Sequence, residues 1–150
     1  MNAILRKNRM MIRDEGLSLD MEVSPDVPGF ILTDITLFYD ILDNLISNSI
    51  KYTQPGGMVY VGVKRTMMEN DDLICITVED TGIGIDSEHL EDIFNRNFTV
   101  PLEDYNKNVN RSGMGLYLVK KFVSALGGDI SVSSEIGKGT KFTFTIPLIL

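Results

Sequence analysis

Two kinds of apolar pattern divide this chain into predicted strands and helices. Residues 17–23 alternate strictly between apolar and polar side chains, which is typical of a strand with one buried face. Residues 33–53 repeat apolar side chains every three or four positions, which is typical of an amphipathic helix. The stripe on that helix consists of Ile35, Phe38, Ile41, Leu42, Leu45, Ile46 and Ser49.

The remaining patterns complete a mixed architecture. Further helices are predicted over residues 2–15, 87–96 and 116–126. Further strands are predicted over residues 30–32, 59–65, 73–79, 130–134 and 141–146. Because the strands come in adjacent pairs and not one per helix, we expect an α/β two-layer sandwich, in which a mixed, mostly antiparallel sheet carries helices on one face.

Length, charge and cysteine content narrow the class of protein. The 150 residues fit a single domain, 1–150, and an apolar content of 43% excludes wholesale disorder. The net charge of -7 argues against a nucleic-acid partner or contact with an anionic membrane. Cys75 is the only cysteine, and no apolar stretch reaches the roughly 18 residues of a membrane span. We therefore expect a cytoplasmic domain, whose parent protein can itself be membrane-bound. The isolated domain is expected to be monomeric.

Three polar side chains share one face of the long predicted helix. At about 100° per residue, Asn44, Asn48 and Lys51 form a narrow stripe beside the apolar one. A carboxamide oxygen can ligate Mg²⁺ in an all-oxygen shell, and an ammonium group can contact a phosphate. The same stripe also fits a helix face that is merely solvated, so the helix by itself leaves both interpretations open.

A glycine-containing segment follows the third long predicted strand. Asp80 comes directly before a turn that contains Gly82 and Gly84, whose missing side chains let a backbone approach a ligand closely. A carboxylate accepts hydrogen bonds only, so Asp80 suits an exocyclic amine such as that of adenine. An ordinary turn after a strand has the same composition.

A second glycine-rich segment runs into the last predicted helix. It consists of Ser112, Gly113, Met114, Gly115 and Leu116. Unpaired N–H groups and the positive end of a helix dipole can hold a phosphate there, although a flexible hinge is equally compatible. The segment is not a P-loop, because no Gly-Lys-Ser/Thr follows it.

The other conspicuous residues have simpler interpretations. Residues 137–140 read Gly-Lys-Gly-Thr, which is typical of a hairpin turn. His89 is the sole histidine and is expected to face solvent. Cys75 is expected to be a packed thiol inside a strand.

Taken together, these motifs resemble the catalytic and ATP-binding domain of two-component sensor histidine kinases, in the GHKL superfamily. The resemblance extends from the first predicted strand to Pro147 and implies the Bergerat ATP-binding fold. Residues 43–53 resemble the N box, 80–85 the first glycine box, 93–98 the F box, 112–120 the second glycine box and 137–142 the third.

The resemblance implies a site for ATP and Mg²⁺. Asn48 would ligate Mg²⁺, Asn44 would lie beside the phosphates and Lys51 would contact one of them; these three form the catalytic group. Tyr52 would cover the nucleotide, and Asp80 would accept a hydrogen bond from the adenine amine. The other residues assigned to nucleotide binding are Gly82, Gly84, Ile85, Arg96, Arg111, Ser112, Gly113, Met114, Gly115, Leu116 and Thr140.

Two departures from the family pattern lie around the expected ATP lid, residues 97–112. Arg111 stands where the second glycine box often has one more glycine, and would either reach a phosphate or stiffen the lid. The F box has one residue more than is common between its two phenylalanines, which leaves a phosphate contact by Arg96 open.

The resemblance further implies transfer of the ATP γ-phosphoryl group to a histidine on a separate dimerisation domain, and from there to a response regulator. That phosphoacceptor segment is not found in this sequence, so residues 1–16 are expected to be a lead-in helix and the chain an excised domain. In hydrolytic relatives a glutamate lies four residues before the Mg²⁺-binding asparagine, whereas this chain has Asn44 there. A hydrolytic GHKL ATPase module and a non-catalytic pseudokinase module are the alternatives.

Overall fold

The structure is a computed structural model that describes residues 2–98 and 115–150. Its first part contains helix α1 (Asn2–Asp14), strand β1 (Ser18–Val23), helix α2 (Ile35–Tyr52) and strands β2 (Met58–Met68) and β3 (Asp71–Asp80). After a short 3-10 helix (Ser87–His89), its second part contains helix α3 (Gly115–Ala125) and strands β4 (Ile130–Glu135) and β5 (Gly139–Pro147).

The five strands form one mixed sheet in the order β1-β2-β3-β5-β4. Strand β1 runs parallel to β2, while the other three pairings are antiparallel. The parallel pair follows from the path of the chain, because α2 connects β1 to β2 and returns the chain to the same end of the sheet. The predicted fold class is confirmed.

The core lies between one face of the sheet and the helices. Alternate residues of β2, β3 and β5 are buried on that face, and Ile41 and Leu45 of α2 are fully buried against them. The strand residues of this core are Val59, Val61, Val63, Ile74, Ile76, Val78, Phe142, Phe144 and Ile146. This packing holds α2 against the middle of the sheet.

Helix α2 begins where Asp34 caps it. The Asp34 carboxylate accepts hydrogen bonds from the backbone N–H groups of Thr36 (2.9 Å) and Leu37 (3.1 Å). Ile35, predicted to belong to the apolar stripe, is 65% exposed because it lies in the first turn, ahead of the buried part of the helix.

Residues 30–32 do not form the predicted strand. The segment makes one backbone hydrogen bond to the C-terminal segment, from Leu32 N–H to the Ile149 carbonyl (2.7 Å), and both Phe30 and Leu32 are largely exposed. The Asp34 cap follows at once, so no room remains for a strand ladder. Of the three apolar side chains, only Ile31 is partly buried against the core.

The predicted helix over residues 87–96 is also wrong. Only Ser87–His89 is helical, as a 3-10 turn, and it is followed by turns that are closed by hydrogen bonds between residues i and i+3. Asp86 accepts a hydrogen bond from Glu88 N–H, and Asn95 bonds Asp92. Such local side-chain bonds favour turns and compete with a continuous helix.

Candidate functional site

Asp80 is a buried carboxylate at the centre of the sheet, where β3 ends between β2 and β5. The residue is only 6% exposed. Its Oδ1 atom accepts two backbone hydrogen bonds, from Gly82 N–H (2.9 Å) and from Thr140 N–H (3.2 Å). Neither of these bonds uses Oδ2, so the first and third glycine segments fix the carboxylate through one oxygen.

Burial raises the pKa of the Asp80 carboxyl above its ordinary value, since a low-dielectric environment disfavours the charge. The Gly82 N–H, the Ser49 hydroxyl and the Thr140 N–H favour the ionised form and offset part of this rise, while the negative charge of Glu79 adds to it. The protein therefore holds at this position an acceptor whose charge is costly to bury.

Ser49 supplies a buried hydroxyl beside this carboxylate. The residue is 1% exposed, and its Oγ atom has no hydrogen-bond partner within the described residues, although it lies near enough to Asp80 to lower the pKa of that carboxyl. Sequence reasoning placed Ser49 in the apolar stripe of α2 and did not connect it with Asp80. The sequence did contain one indication, because a serine hydroxyl stands at a position of α2 where the helical pattern predicts an apolar side chain.

The first glycine segment is fastened to the end of α2. Ile83 N–H donates to the Tyr52 carbonyl (3.0 Å), and a Cβ on Gly82 would overlap that same carbonyl. Gly84 has a φ of 74°, and a Cβ there would overlap the Glu135 carbonyl at the end of β4. At both positions, the backbone of another segment occupies the place that a side chain would need.

A pair of hydroxyl groups joins the first glycine segment to the β4–β5 turn. Ser134 Oγ donates to the Gly139 carbonyl (2.8 Å) and accepts from Ile85 N–H (2.8 Å). Thr140 Oγ1 lies 2.9 Å from Ser134 Oγ and donates to it, because the single Ser134 proton is already used. Thr140 was a predicted site residue, whereas Ser134, its cross-strand partner in the β4–β5 register, was not.

The polar stripe of α2 meets the start of α3 at Asn44. The Asn44 amide nitrogen donates to the Asp40 carbonyl (2.8 Å), which fixes the carboxamide orientation. Its oxygen points to the first residue of α3, since a Cβ on Gly115 would lie 3.0 Å from Asn44 Oδ1. Asn48 and Lys51 are half-buried on the following turns. Helix α2 thus borders the second glycine segment through Asn44 and the first through Tyr52.

Asp43 lies on a different side of α2 from this stripe. Its carboxylate accepts hydrogen bonds from Lys7 (2.9 and 3.0 Å) and from the buried Asn8 (3.3 Å), both on α1. This acidic neighbour of Asn44 is therefore engaged in joining α1 to α2.

The F-box segment packs on α3 through ring contacts. The Arg96 guanidinium is exposed and lies 6.0 Å from the ring centroid of Tyr117, while Lys120 lies 5.5 Å from that of Phe94. His89, which is expected to face solvent, is only partly exposed: 25% of its side chain is accessible, and its ring lies 5.8 Å from the Phe98 ring.

Several predicted site residues lie outside the described part of the chain, namely Arg111, Ser112, Gly113, Met114 and all of the expected lid except residues 97 and 98. Leu116 is half-buried in the first turn of α3, and Cys75 is a buried free thiol, as predicted.

Within residues 2–98 and 115–150, no cluster of three or more His, Cys, Asp or Glu side chains could hold a metal ion. No described helix is long and apolar enough to cross a bilayer.

Comparison with known proteins assigns the family. Residues 33–150 match the family model described as histidine kinase-, DNA gyrase B- and HSP90-like ATPase. The chain belongs to this family, and it falls among the ATP-binding catalytic domains of histidine kinases.

Curated relatives include hybrid signal transduction histidine kinase B of Dictyostelium discoideum, 38% identical over 96% of this chain, and aerobic respiration control sensor protein ArcB of Escherichia coli, 36% identical over 91%. The chain spans 7% and 17% of these two proteins.

Solved structures share the fold across nearly the whole chain. Full-length ShkA in complex with AMPPNP superposes with a TM-score of 0.81 at 24% identity, over 99% of this chain and 29% of that one. The nucleotide-free catalytic domain of histidine kinase ThkA gives 0.79 at 23% identity, over 99% of this chain and 89% of that one. The GHKL-type fold implied by the sequence motifs is thereby confirmed.

Proposed function

We propose that this domain binds ATP with Mg²⁺ and donates the γ-phosphoryl group to a histidine on a separate dimerisation domain. The observation that carries the proposal is the buried Asp80 carboxylate, held through Oδ1 by the Gly82 and Thr140 N–H groups. A buried carboxylate with a raised pKa is costly, and a purine amine donating to Oδ2 is a partner that would offset that cost.

The chemistry of the neighbouring groups fits a magnesium nucleotide. The described residues offer carboxamides and an ammonium on α2 in place of a carboxylate cluster, so Mg²⁺ would take an oxygen of Asn48 and complete its shell with phosphates and water. When bound, Mg²⁺ would neutralise charge on the phosphates. Lys51 would contact the phosphates, and Asn44 would lie beside them at the start of α3.

Transfer to a histidine accounts better for Asn44 than hydrolysis does. A carboxamide has no useful proton-accepting pKa near neutrality, so Asn44 does not activate a water molecule. The adjacent Asp43 carboxylate is engaged by Lys7 and Asn8. Phosphoryl transfer depends mostly on positioning and charge neutralisation, for which a site without a general base is sufficient. The histidine-bearing domain and, beyond it, a response regulator are the partners.

The test of nucleotide recognition is calorimetric titration of the purified chain with ADP and with GDP, each with Mg²⁺ present. The proposal expects binding of ADP and at least tenfold weaker binding of GDP, whose base presents a carbonyl where adenine has its amine. Equal affinity for the two nucleotides, or no binding of either, would contradict it.

A further inference from the structure

Two reciprocal contacts between a cation and an aromatic ring join the F-box segment, residues 93–98, to helix α3. The guanidinium carbon of Arg96, in the F-box segment, lies 6.0 Å from the ring centroid of Tyr117, in α3. The ammonium nitrogen of Lys120, in α3, lies 5.5 Å from the ring centroid of Phe94, in the F-box segment. The negative face of an aromatic ring attracts a cation at such distances, so each segment supplies one ring and one cation.

The two contacts differ in how their rings are held. The Phe94 ring also packs edge-on against Phe142 of β5, at 6.2 Å between centroids, so the core fixes it independently of Lys120. The Tyr117 ring receives a second cation from its own helix, Lys121, at 5.2 Å. Arg96 is exposed, and its guanidinium lies at the Tyr117 ring. Tyr117 is therefore the ring that links the exposed part of the F-box segment to α3.

The first turn of α3 needs support from its neighbours. The helix begins at Gly115, a residue type that loses much backbone freedom on folding, and its first turn contains no acidic side chain to interact with the helix dipole. Tyr117 lies half-buried in this turn. Because the local sequence favours the turn only weakly, contacts with other segments must hold it in place.

The position of this turn matters for the proposed function, which assigns the phosphates to the start of α3 beside Asn44. Asn44 Oδ1 would lie 3.0 Å from a Cβ on Gly115, so the turn and the polar stripe of α2 are in close proximity. A displacement of the turn would therefore move Gly115 away from Asn44.

We propose that Tyr117 is a positioning residue, whose ring is held by Arg96 and keeps the first turn of α3 in the place where a nucleoside diphosphate binds. Arg96 serves this contact and does not bond a phosphate. The inference rests on the proposed function, and it gives Arg96 the role that the F-box departure leaves open.

The test is a double-mutant cycle of Arg96→Gln, Tyr117→Leu and the variant with both substitutions. Calorimetric titration with Mg²⁺ measures the affinity for ADP and for adenosine, which lacks the phosphates. Tyr117→Phe keeps the ring and is the conservative variant. Arg9→Gln removes an exposed arginine of α1 and is the control for loss of a positive charge.

Each single substitution should weaken ADP binding about two- to fivefold, which is the range of an exposed contact between a cation and a ring. The affinity for adenosine should not change. The double variant should bind ADP no more weakly than Tyr117→Leu, because both substitutions remove the same contact. Tyr117→Phe and Arg9→Gln should bind both ligands as the wild type does.

Failure of this inference differs from failure of the proposed function. If Arg96→Gln weakens ADP binding by the same factor with and without Tyr117→Leu, Arg96 acts independently of the ring, and only this inference is wrong. The inference is also wrong if Tyr117→Leu binds ADP normally, if Tyr117→Phe binds it as weakly as Tyr117→Leu, or if adenosine binding is weakened equally. If wild-type protein binds neither ligand, the proposed function is overturned together with this inference.

Discussion

Burial of the Asp80 carboxylate disfavours its ionised form. The surrounding hydrogen bonds indicate which of its two oxygens is available to a ligand. The two backbone N–H groups fix Oδ1, so the orientation of the side chain is set before any ligand arrives. In Asp80→Asn the amide oxygen would take over these two bonds, and the amide NH₂ would occupy the place of Oδ2.

This geometry predicts that Asp80→Asn loses adenine recognition. The NH₂ group would face the amine of the base, donor against donor, at a cost of about 1–3 kcal/mol, or roughly tenfold to a hundredfold in affinity. Titration with ADP measures the loss. Asp71→Asn, at the exposed opposite end of β3, is the control and should keep wild-type affinity. Unchanged affinity in folded Asp80→Asn would remove Asp80 from the site.

The same substitution should not destabilise the nucleotide-free domain at neutral pH. Because the pKa of Asp80 is raised on folding, the folded state penalises the ionised form, and this penalty disappears as the pH falls below the ordinary carboxyl value of about 4. Asp80→Asn should therefore melt at or above the wild-type temperature at pH 7, with a smaller difference near pH 4. Thermal melts at both pH values check the sign, and a variant that is less stable only at neutral pH would refute it.

Asn48→Ala should weaken magnesium-dependent binding selectively. Mg²⁺ in nucleotide sites keeps few protein ligands, so removing one carboxamide oxygen should lower ADP affinity in the presence of Mg²⁺ far more than in the presence of a chelator. The measurement is the ratio of the two dissociation constants in variant and wild type. An equal loss under both conditions would place Asn48 away from the metal.

At the scale of elements, the glycine segments are held together by close backbone contacts. Gly84 combines a positive φ with a Cβ position that overlaps the Glu135 carbonyl, whereas Gly137 has a positive φ (79°) with open space around it. Gly29 has neither constraint. Comparing substitutions at the three glycines therefore distinguishes the free-energy cost of a strained backbone conformation from the cost of a steric overlap.

Alanine at these glycines should destabilise the fold in a graded series. Gly84→Ala should lower the free energy of unfolding by about 3 kcal/mol or more, since backbone strain and overlap add. Gly137→Ala should cost about 1–2 kcal/mol from the conformation only, and Gly29→Ala should stay within about 0.5 kcal/mol. Urea unfolding measures all three, and equal effects at Gly84 and Gly137 would show that the overlap relaxes freely.

The elements that the sequence predicts well are those whose pattern reports burial. The apolar stripe of α2, apart from Ile35, and the strands β2, β3 and β5 all contribute to one shared core, and the structure confirms these predictions. In residues 30–32, Phe30 and Leu32 are apolar without being buried. In residues 86–95, Asp86 bonds the nearby backbone, and Asn95 bonds Asp92. The spacing of apolar residues along the chain reveals neither of these effects.

At the site, residue type was enough to predict several of the polar side chains. The two serines that it missed are recognised only from their neighbours in the folded structure. Ser49 looked like part of the apolar stripe, and Ser134 is distinguished only by lying opposite Thr140 in the β4–β5 ladder. The F box showed the same limit, because the ring contacts that join it to α3 bring together residues more than 20 positions apart in the chain.

At the scale of the whole molecule, the fold gathers distant segments around the C-terminal half of α2. Asn44 faces the start of α3, the Tyr52 carbonyl holds the first glycine segment, and Asp80 reaches across to Thr140 of β5. The order β1-β2-β3-β5-β4 makes this possible, since it places β5 directly beside β3. A site built in this way can position a nucleotide without supplying a general base.

The most direct test of this account follows γ-labelled ATP in two reactions with Mg²⁺: the purified chain by itself, and the chain mixed with a matching histidine-bearing dimerisation domain. Lack of a general base typically costs a factor of about 10²–10⁴ in rate, so the chain by itself should release almost no phosphate and should not label itself. In the mixture, the histidine-bearing domain should acquire a phosphate that is acid-labile and base-stable. Brisk phosphate release by the chain by itself, with no label on the histidine, would contradict the account and favour a hydrolytic ATPase.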